Sequence, residues 1–291
     1  MQSFTFSGSL AGRSVRRIGF GAMQLPGPGV FGPPRDRDEA LAVLRRAVEL
    51  GVNHIDTSQY YGPDVSNELI REALHPYPED LLLVSKVGAE RDAQGGWVSA
   101  QTPADLRRGV EDNLRSLEID QLGAVNLRRM DEHSDGEVVP LEDQLAEMVA
   151  LRDEGKIGGI GISTAPLAEV QTAIATAGIV CVQNPFSLLD QHDADVLAAC
   201  HNAGVAYAPY FPLGSAFPHL PKVVDDPAVV AVADRLGATP AQVGLAWLLA
   251  HDDSILLIPG TSSVAHLEQN MAIGDLVLSP EDLADLDAAG T

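Results

Sequence analysis

"AVELGVNHIDTSQYYG", residues 47–62, contains the unit from which this chain is built. Its first part closes an amphipathic helical pattern over residues 38–50. There Leu41, Leu44 and Val48, with neighbouring alanines, form one apolar stripe, and acidic residues open the first turn. Gly51 then stands where a helix C-terminus favours a left-handed residue. "VNHID" follows at once as a short apolar strand that ends on a carboxylate, Asp56. The same helix–glycine–strand junction recurs in "LRDEGKIGGIGIS", "IATAGIVCVQN" and "CHNAGVAYAPY", with Gly155, Gly178 and Gly204 at the breaks.

Four further strands complete the series: "RRIGFGA" (16–22), "LLLVSKV" (81–87), "LGAVNL" (122–127) and "SILLIPG" (254–260). Each is nearly all apolar at its centre, as expected of parallel strands covered on both faces. Eight strands alternating with helices fit either an open doubly wound sheet or a closed eight-stranded barrel. A (β/α)8 barrel typically takes ~250 residues, and the chain has 291. "FTFSG" and "SVRRI", joined by "SLAGR", are expected to form a β-hairpin ahead of the series. No linker or low-complexity stretch interrupts residues 1–291, so one domain is the simplest organisation.

Composition narrows the function. With 45% hydrophobic and 21% charged residues the chain is ordinary for a globular protein. A net charge of −22 repels a nucleic-acid duplex or an anionic membrane surface on average, so neither is expected as a partner. The N-terminus has no apolar core suited to a signal peptide, and no run approaches the ~20 apolar residues of a membrane helix. Cys181 and Cys200 form no CxxC pair and are expected to be buried reduced thiols in a cytoplasmic protein. The eight histidines make no HxxxH or HExxH pair, so no metal site is expected. A serine-hydrolase elbow is absent, "GK" at 155–156 lacks the rest of a phosphate loop, and "DEHSD" (131–135) reads as a solvated loop.

The strand ends carry the chemistry. "VNHID" finishes on Asp56, "LLLVSK" on Lys86, "LGAVN" on Asn126, "GIGIS" on Ser163, "VCVQN" on Gln183 and Asn184, and "VAYAPY" on Tyr210. Any one of these could simply begin a turn or cap the next helix. Together they are expected to converge at the C-terminal face of a barrel, where active sites are built. Asn126 is therefore read as one group lining a pocket, because an amide without partners is costly in a core. Tyr61 lies five residues beyond Asp56, and Lys86 ends the next strand. A phenol of pKa ~10 is a weak acid at neutral pH, and a neighbouring ammonium lowers that value. Tyr61, Lys86 and Asp56 are thus a candidate general-acid system for a carbonyl oxygen.

These residues resemble the aldo-keto reductase superfamily over essentially the whole chain. "IDTSQYYG" is similar to its Asp-Thr-x-x-x-Tyr-Gly signature, and "LLLVSK" to the strand carrying its lysine. "GIGIS", "VQNPFSLLD" and "APYFPLG" resemble the strands that hold a nicotinamide, and "IPGTSSVAHLEQN" (258–270) the C-terminal cofactor segment. The resemblance implies a (β/α)8 barrel that binds NADPH, or NADH in its place, without a Rossmann fold. It also implies that Tyr61 donates the proton, Lys86 tunes it and Asp56 pairs with Lys86. Ser163 and Gln183 would hold the carboxamide, and Tyr210 would stack on the nicotinamide ring. Met23, Phe211, Leu213, Gly260, Thr261, Ser262, Ser263, His266, Gln269 and Asn270 would line the rest of the cofactor.

The sequence departs from the pattern in two places. Most active members carry a catalytic His where Asn126 stands; an amide donates a hydrogen bond but cannot relay a proton. That replacement resembles the β subunits of voltage-gated potassium channels, while "VNLR" and "APYFPLG" resemble the bacterial pyridoxal reductases of the superfamily. His266 occupies the place of an Arg that pairs with the 2′-phosphate of NADPH in many members. Specificity is expected from the inserts 88–102, with Trp97, and 213–226, with Phe217. Arg128 is expected to face the pocket or to pair with the loop "MDEHSDGE", and Arg129 to pair with that loop. The expected activity is NADPH-dependent reduction of an aldehyde or ketone, pyridoxal or a similar aromatic aldehyde leading. The alternative is a cofactor-binding redox sensor with little turnover. A monomer or weak homo-oligomer is expected.

Overall fold

The computed structural model describes residues 10–130, 138–214 and 221–290. Seven parallel strands form one sheet in the order β1 (Phe20–Gly21), β2 (His54–Asp56), β3 (Leu82–Val87), β6 (Ala124–Arg128), β7 (Ile160–Ser163), β8 (Cys181–Gln183) and β9 (Ala206–Tyr207). The remaining pair, β4 (Ala89–Arg91) and β5 (Trp97–Ser99), is an antiparallel hairpin at the top of β3. Residues 255–257 join the two edges of the sheet. Tyr207 bridges Ile255 in parallel, and Leu257 bridges Ile18 just ahead of β1. Gly19 N–H donates to Leu257 O at 2.8 Å, and Leu257 N–H to Arg17 O at 2.8 Å. This circuit is consistent with an eight-stranded β/α barrel.

Helices alternate with the strands. They are α1 (Arg37–Glu49), α2 (Val65–Leu74), α3 (Pro103–Leu117), α4 (Leu141–Asp153), α5 (Leu167–Ala177), α6 (Ala194–Ala203), α7 (Pro227–Leu236), α8 (Pro240–His251), α9 (Val264–Met271) and α10 (Pro280–Ala289). In α1 the buried face is Ala40, Leu41, Val43, Leu44 and Ala47, which keeps Leu41 and Leu44 of the expected stripe, with Val48 only partly buried. Asp36 caps it by accepting from Glu39 N–H at 3.0 Å, a contact worth about 1 kcal/mol. The helix-ending glycines adopt the expected left-handed conformation, with φ of 92° at Gly51, 80° at Gly155, 62° at Gly178 and 67° at Gly204.

Two apolar layers result. The larger lies between strands and helices. The smaller fills the interior with Leu10, Val15, Leu82, Val84, Ala124, Cys181, Ala206, Ala208 and Leu256. Leu10 and Arg13 exchange backbone hydrogen bonds of 3.0 and 3.1 Å across a tight turn. The first limb of the expected N-terminal hairpin lies outside the described residues. Both cysteines are free and buried, and burial pushes both thiols above their ordinary pKa. No helix among the described residues is long and apolar enough to cross a membrane.

Candidate active site

The strand register brings the expected polar ends together. Gly21 pairs with Asp56, Lys86 with Asn126, Asn126 with Gly161, Arg128 with Ser163, and Ser163 with Gln183. Asp56 and Lys86 form a buried ion pair, their side chains 6% and 8% exposed. The ammonium also donates to Thr57 O at 3.0 Å. The second carboxylate oxygen accepts from Gln183 Nε2 at 2.8 Å. This carboxylate is therefore satisfied from two strands, which offsets the desolvation of both charges.

Tyr61 follows β2 and is buried, its ring centroid 4.9 Å from Lys86 Nζ. Burial pushes its phenol well above the ordinary range, and the Asp56 carboxylate adds to that. The cations that pull it back are Arg128 and then Arg91. Met23 packs against the cluster formed by Tyr60, Tyr61, Ala89 and Met130. Tyr60 stands edge-on to both Tyr61 and Trp97, at 5.5 and 5.3 Å between centroids.

Asn126 was read from the sequence as one group lining a pocket. It is fully enclosed, and neither amide atom has a hydrogen-bond partner. The local reason is Gly161. A Cβ there would lie 1.9 Å from Asn126 Oδ1, so the amide occupies the space of the missing side chain. A second unpartnered group lies below it. His54 is buried with both ring nitrogens free, and burial holds its pKa down at about 4. His54, Asp56 and Gln183 line a small interior cavity together with Val84, Cys181 and Leu256.

The remaining expected residues divide by distance along the rim. Ser163 is buried at 3% exposure, and Thr164 after it takes a left-handed φ of 57°, uncommon for a β-branched residue. Tyr210 is half-buried; burial raises its phenol, and a hydrogen bond from the Thr164 side chain pulls it back. Phe211 stands edge-on to Tyr210 at 5.1 Å, with a left-handed φ of 54°. Leu213 packs on the outer core. Gly260 runs against Gly21, where either Cβ would lie 2.5 Å from a backbone oxygen, so the seam needs both glycines. Thr261 Oγ1 accepts from Ser263 N–H at 3.1 Å. Ser263 stands at the N-cap of α9 with its hydroxyl making no capping bond, and Ser262 is exposed. His266 and Gln269 are exposed on α9 and Asn270 is half-buried. Phe217 and the 131–135 loop lie outside the described residues.

Arg91 was not singled out in the sequence. It sits on the β4–β5 hairpin, whose turn leaves no mark beyond two glycines. Arg129 is buried and pairs with Glu169 at 3.0 Å and with Gln144. No cluster of three metal-ligating side chains occurs among the described residues.

The profile of the Aldo/keto reductase family matches residues 17–291. The chain belongs to this family. It is an NAD(P)H-dependent oxidoreductase. It is 50% identical over 289 residues to pyridoxine 4-dehydrogenase of Escherichia coli, covering 99% of this chain and 98% of that one. It is 37% identical to an uncharacterized oxidoreductase of Schizosaccharomyces pombe, over 95% of this chain and 87% of that one. Among solved structures, an aldo-keto reductase of Klebsiella pneumoniae in complex with NADPH superposes with a TM-score of 0.82. That pair is 27% identical, covering 99% of this chain and 95% of the other.

Proposed function

We propose that the protein reduces aldehydes to alcohols with NADPH and that pyridoxal is its leading substrate. The observation that carries the reading is the Asp56–Lys86–Tyr61 cluster at the strand ends, in a chain half identical to a pyridoxine 4-dehydrogenase. The residues present fit a nicotinamide dinucleotide. Ser163 and Gln183 lie side by side at the end of β7 and β8 and would hold the carboxamide. The half-buried Tyr210 ring offers a stacking face. The first turn of α9, with Ser262, Ser263 and His266, offers hydroxyls and an imidazole to the phosphorylated ribose, while its Val264 N–H is taken by Glu39 Oε1 at 3.0 Å. The bound cofactor supplies the hydride.

Tyr61 gives its proton to the carbonyl oxygen as negative charge develops there. A phenol held above its ordinary pKa keeps that proton at neutral pH. The neighbouring cations favour the phenolate left behind. Lys86, fixed by Asp56 and Thr57 O, holds positive charge against the Tyr61 ring. Asn126, enclosed beside Lys86 with neither amide atom paired, is the group proposed to orient the substrate oxygen. Residues 1–291 act as one barrel domain with a hairpin at its base, and two buried thiols suit a reducing cytoplasm.

NADPH absorbance followed with purified protein, pyridoxal and a panel of aromatic and aliphatic carbonyls tests the reading. Rapid oxidation with pyridoxal is expected. Tyr61→Phe is expected to lower kcat by about 10²- to 10⁴-fold. Full turnover in that variant, or NADPH binding without oxidation of any carbonyl, would overturn it.

A further inference from the structure

Two guanidinium groups meet at the mouth of the site. The Arg91 guanidinium carbon lies 3.5 Å from the centroid of Trp97, and that of Arg128 lies 4.6 Å from the same centroid. Trp97 is 38% exposed, so the group is open to solvent on one side. Arg91 is anchored by carbonyls: it donates to Gly95 O at 2.7 Å, Gly29 O at 3.1 Å and Val30 O at 3.3 Å. Its Nε is buried and has no partner. Among the described residues neither guanidinium makes an ion pair with a carboxylate. This is notable in a chain with 41 acidic and 19 basic residues, where most buried or half-buried arginines find an acid. Two like charges held on one indole repel each other, and an anion between them relieves that repulsion.

The register places this pair over the reacting end of the pocket. Arg128 lies opposite Ser163, which lies opposite Gln183. Asn126, two residues earlier on the same face, lies one step deeper, opposite Lys86 and Gly161. Arg128 therefore stands level with the residues proposed for the nicotinamide, whereas Asn126 lies beneath them. Both guanidiniums are also near enough to Tyr61 to act on its phenol.

We propose that Arg91 and Arg128, arrayed on Trp97, form an anion-recognition site that selects carbonyl substrates bearing a negatively charged group next to the aldehyde. A phenolate or carboxylate ortho to an aromatic aldehyde has this geometry, and pyridoxal, with its ionisable ring hydroxyl beside the aldehyde, belongs to the class. Charge-assisted hydrogen bonds from two guanidiniums fix such a ring by one edge, so that its aldehyde is presented towards Tyr61. The proposal deepens the reductase reading and rests on it for turnover, but not for binding.

The test compares 2-carboxybenzaldehyde with its neutral methyl ester, substrates alike except for the charge. The expected ratio of kcat/KM values favours the carboxylate by about tenfold or more. Arg128→Met is expected to collapse that ratio, and Arg128→Lys to retain part of it, because the charge stays while the forked donor is lost. A wild-type ratio near one, or a variant in which both substrates fall alike, would overturn the proposal. Calorimetric titration of the NADPH-loaded protein with phthalate reads the site without turnover. Phthalate binding that Arg128→Met abolishes, with no aldehyde reduced, would keep the anion site and sink the reductase reading. Aldehyde reduction with no phthalate binding would do the reverse.

Discussion

Asn113 and Asn126 are both fully buried amides, yet their surroundings are opposite. Asn113, on α3, has every polar atom engaged. Its Oδ1 accepts from Asn67 Nδ2 at 2.9 Å and Ser85 Oγ at 2.6 Å, and its Nδ2 donates to Gly109 O at 2.8 Å. Asn67 passes the network on to Thr57 and Ser116. This network ties α2 and α3 to the back of β2 and β3, the strands that carry Asp56 and Lys86. Asn126 sits inside the barrel with neither amide atom paired, and His54, on β2 with β3 between them, shares that state. Satisfied polar groups hold the strand ends in place from behind. Unsatisfied ones face inward, where a substrate or water supplies the missing partner.

The largest effect is expected where satisfaction and charge coincide. Asp56→Ala leaves the Lys86 ammonium buried with only a carbonyl for company, and removal of one partner from such a pair costs about 3–5 kcal/mol. Urea unfolding at pH 7.5 measures it. Adding Lys86→Met to Asp56→Ala should restore a large part of the loss, since no charge is then stranded. A double variant as unstable as the single would show that the site is held by shape and not by the ion pair.

The two amides allow a sharper contrast. Asn113→Ala takes one of two acceptors from Asn67 Nδ2 and leaves Ser85 Oγ without its acceptor, at an expected cost of about 2–3 kcal/mol. Asn126→Ala removes an amide that has no partner to lose, so the relief of its buried polar atoms opposes the cavity left behind and the net loss should be smaller than for Asn113→Ala. Turnover should respond in the opposite order, Asn126→Ala losing about tenfold in kcat, the effect of one oriented hydrogen bond, and Asn113→Ala much less per folded molecule. Paired thermal melts and single-substrate kinetics on both variants decide it. Equal losses of stability would erase the distinction between the regions.

What could be read in advance follows the same division. The eight apolar runs located every segment of the strand circuit, because burial on both faces leaves a continuous hydrophobic signal. The four glycine junctions held because a left-handed residue is demanded by local geometry alone. Asp56, Lys86, Ser163 and Gln183 were legible as polar ends on apolar strands. Arg91 was not, since its place depends on how a short hairpin folds back over the pocket. The enclosure of Asn126 was hidden for a similar reason: it depends on the absent side chain of Gly161 on the neighbouring strand, a pairing that a single strand does not display. The cations acting on Tyr61 were likewise decided by three-dimensional placement. Lys86 is adjacent but paired with Asp56, whereas Arg128 and Arg91 make no ion pair among the described residues.

His54 gives the smallest and most specific effect. Its ring fills the space above Gly19, where a Cβ would lie 2.2 Å from Nε2, and burial holds its pKa down at about 4 against an ordinary 6.5. Above pH 6.5 the imidazole is neutral in both folded and unfolded chains, so the full stability is present. As pH falls through 6.5 the unfolded chain takes up a proton that the folded one refuses, and stability is lost until pH 4, where the folded form protonates too. At pH 5 this one group should lower stability by about 2 kcal/mol relative to pH 7.5. His54→Leu deletes the titration and keeps an apolar side chain of similar volume, so its loss between the two pH values should be smaller by that amount. Carboxylates elsewhere in this acidic chain titrate in both proteins and cancel in the difference. Equal losses in wild type and variant would mean that His54 finds a proton acceptor or water in the cavity beside Asp56. The unpartnered interior would then be a hydrated one, and Asn126 would belong with the satisfied amides after all.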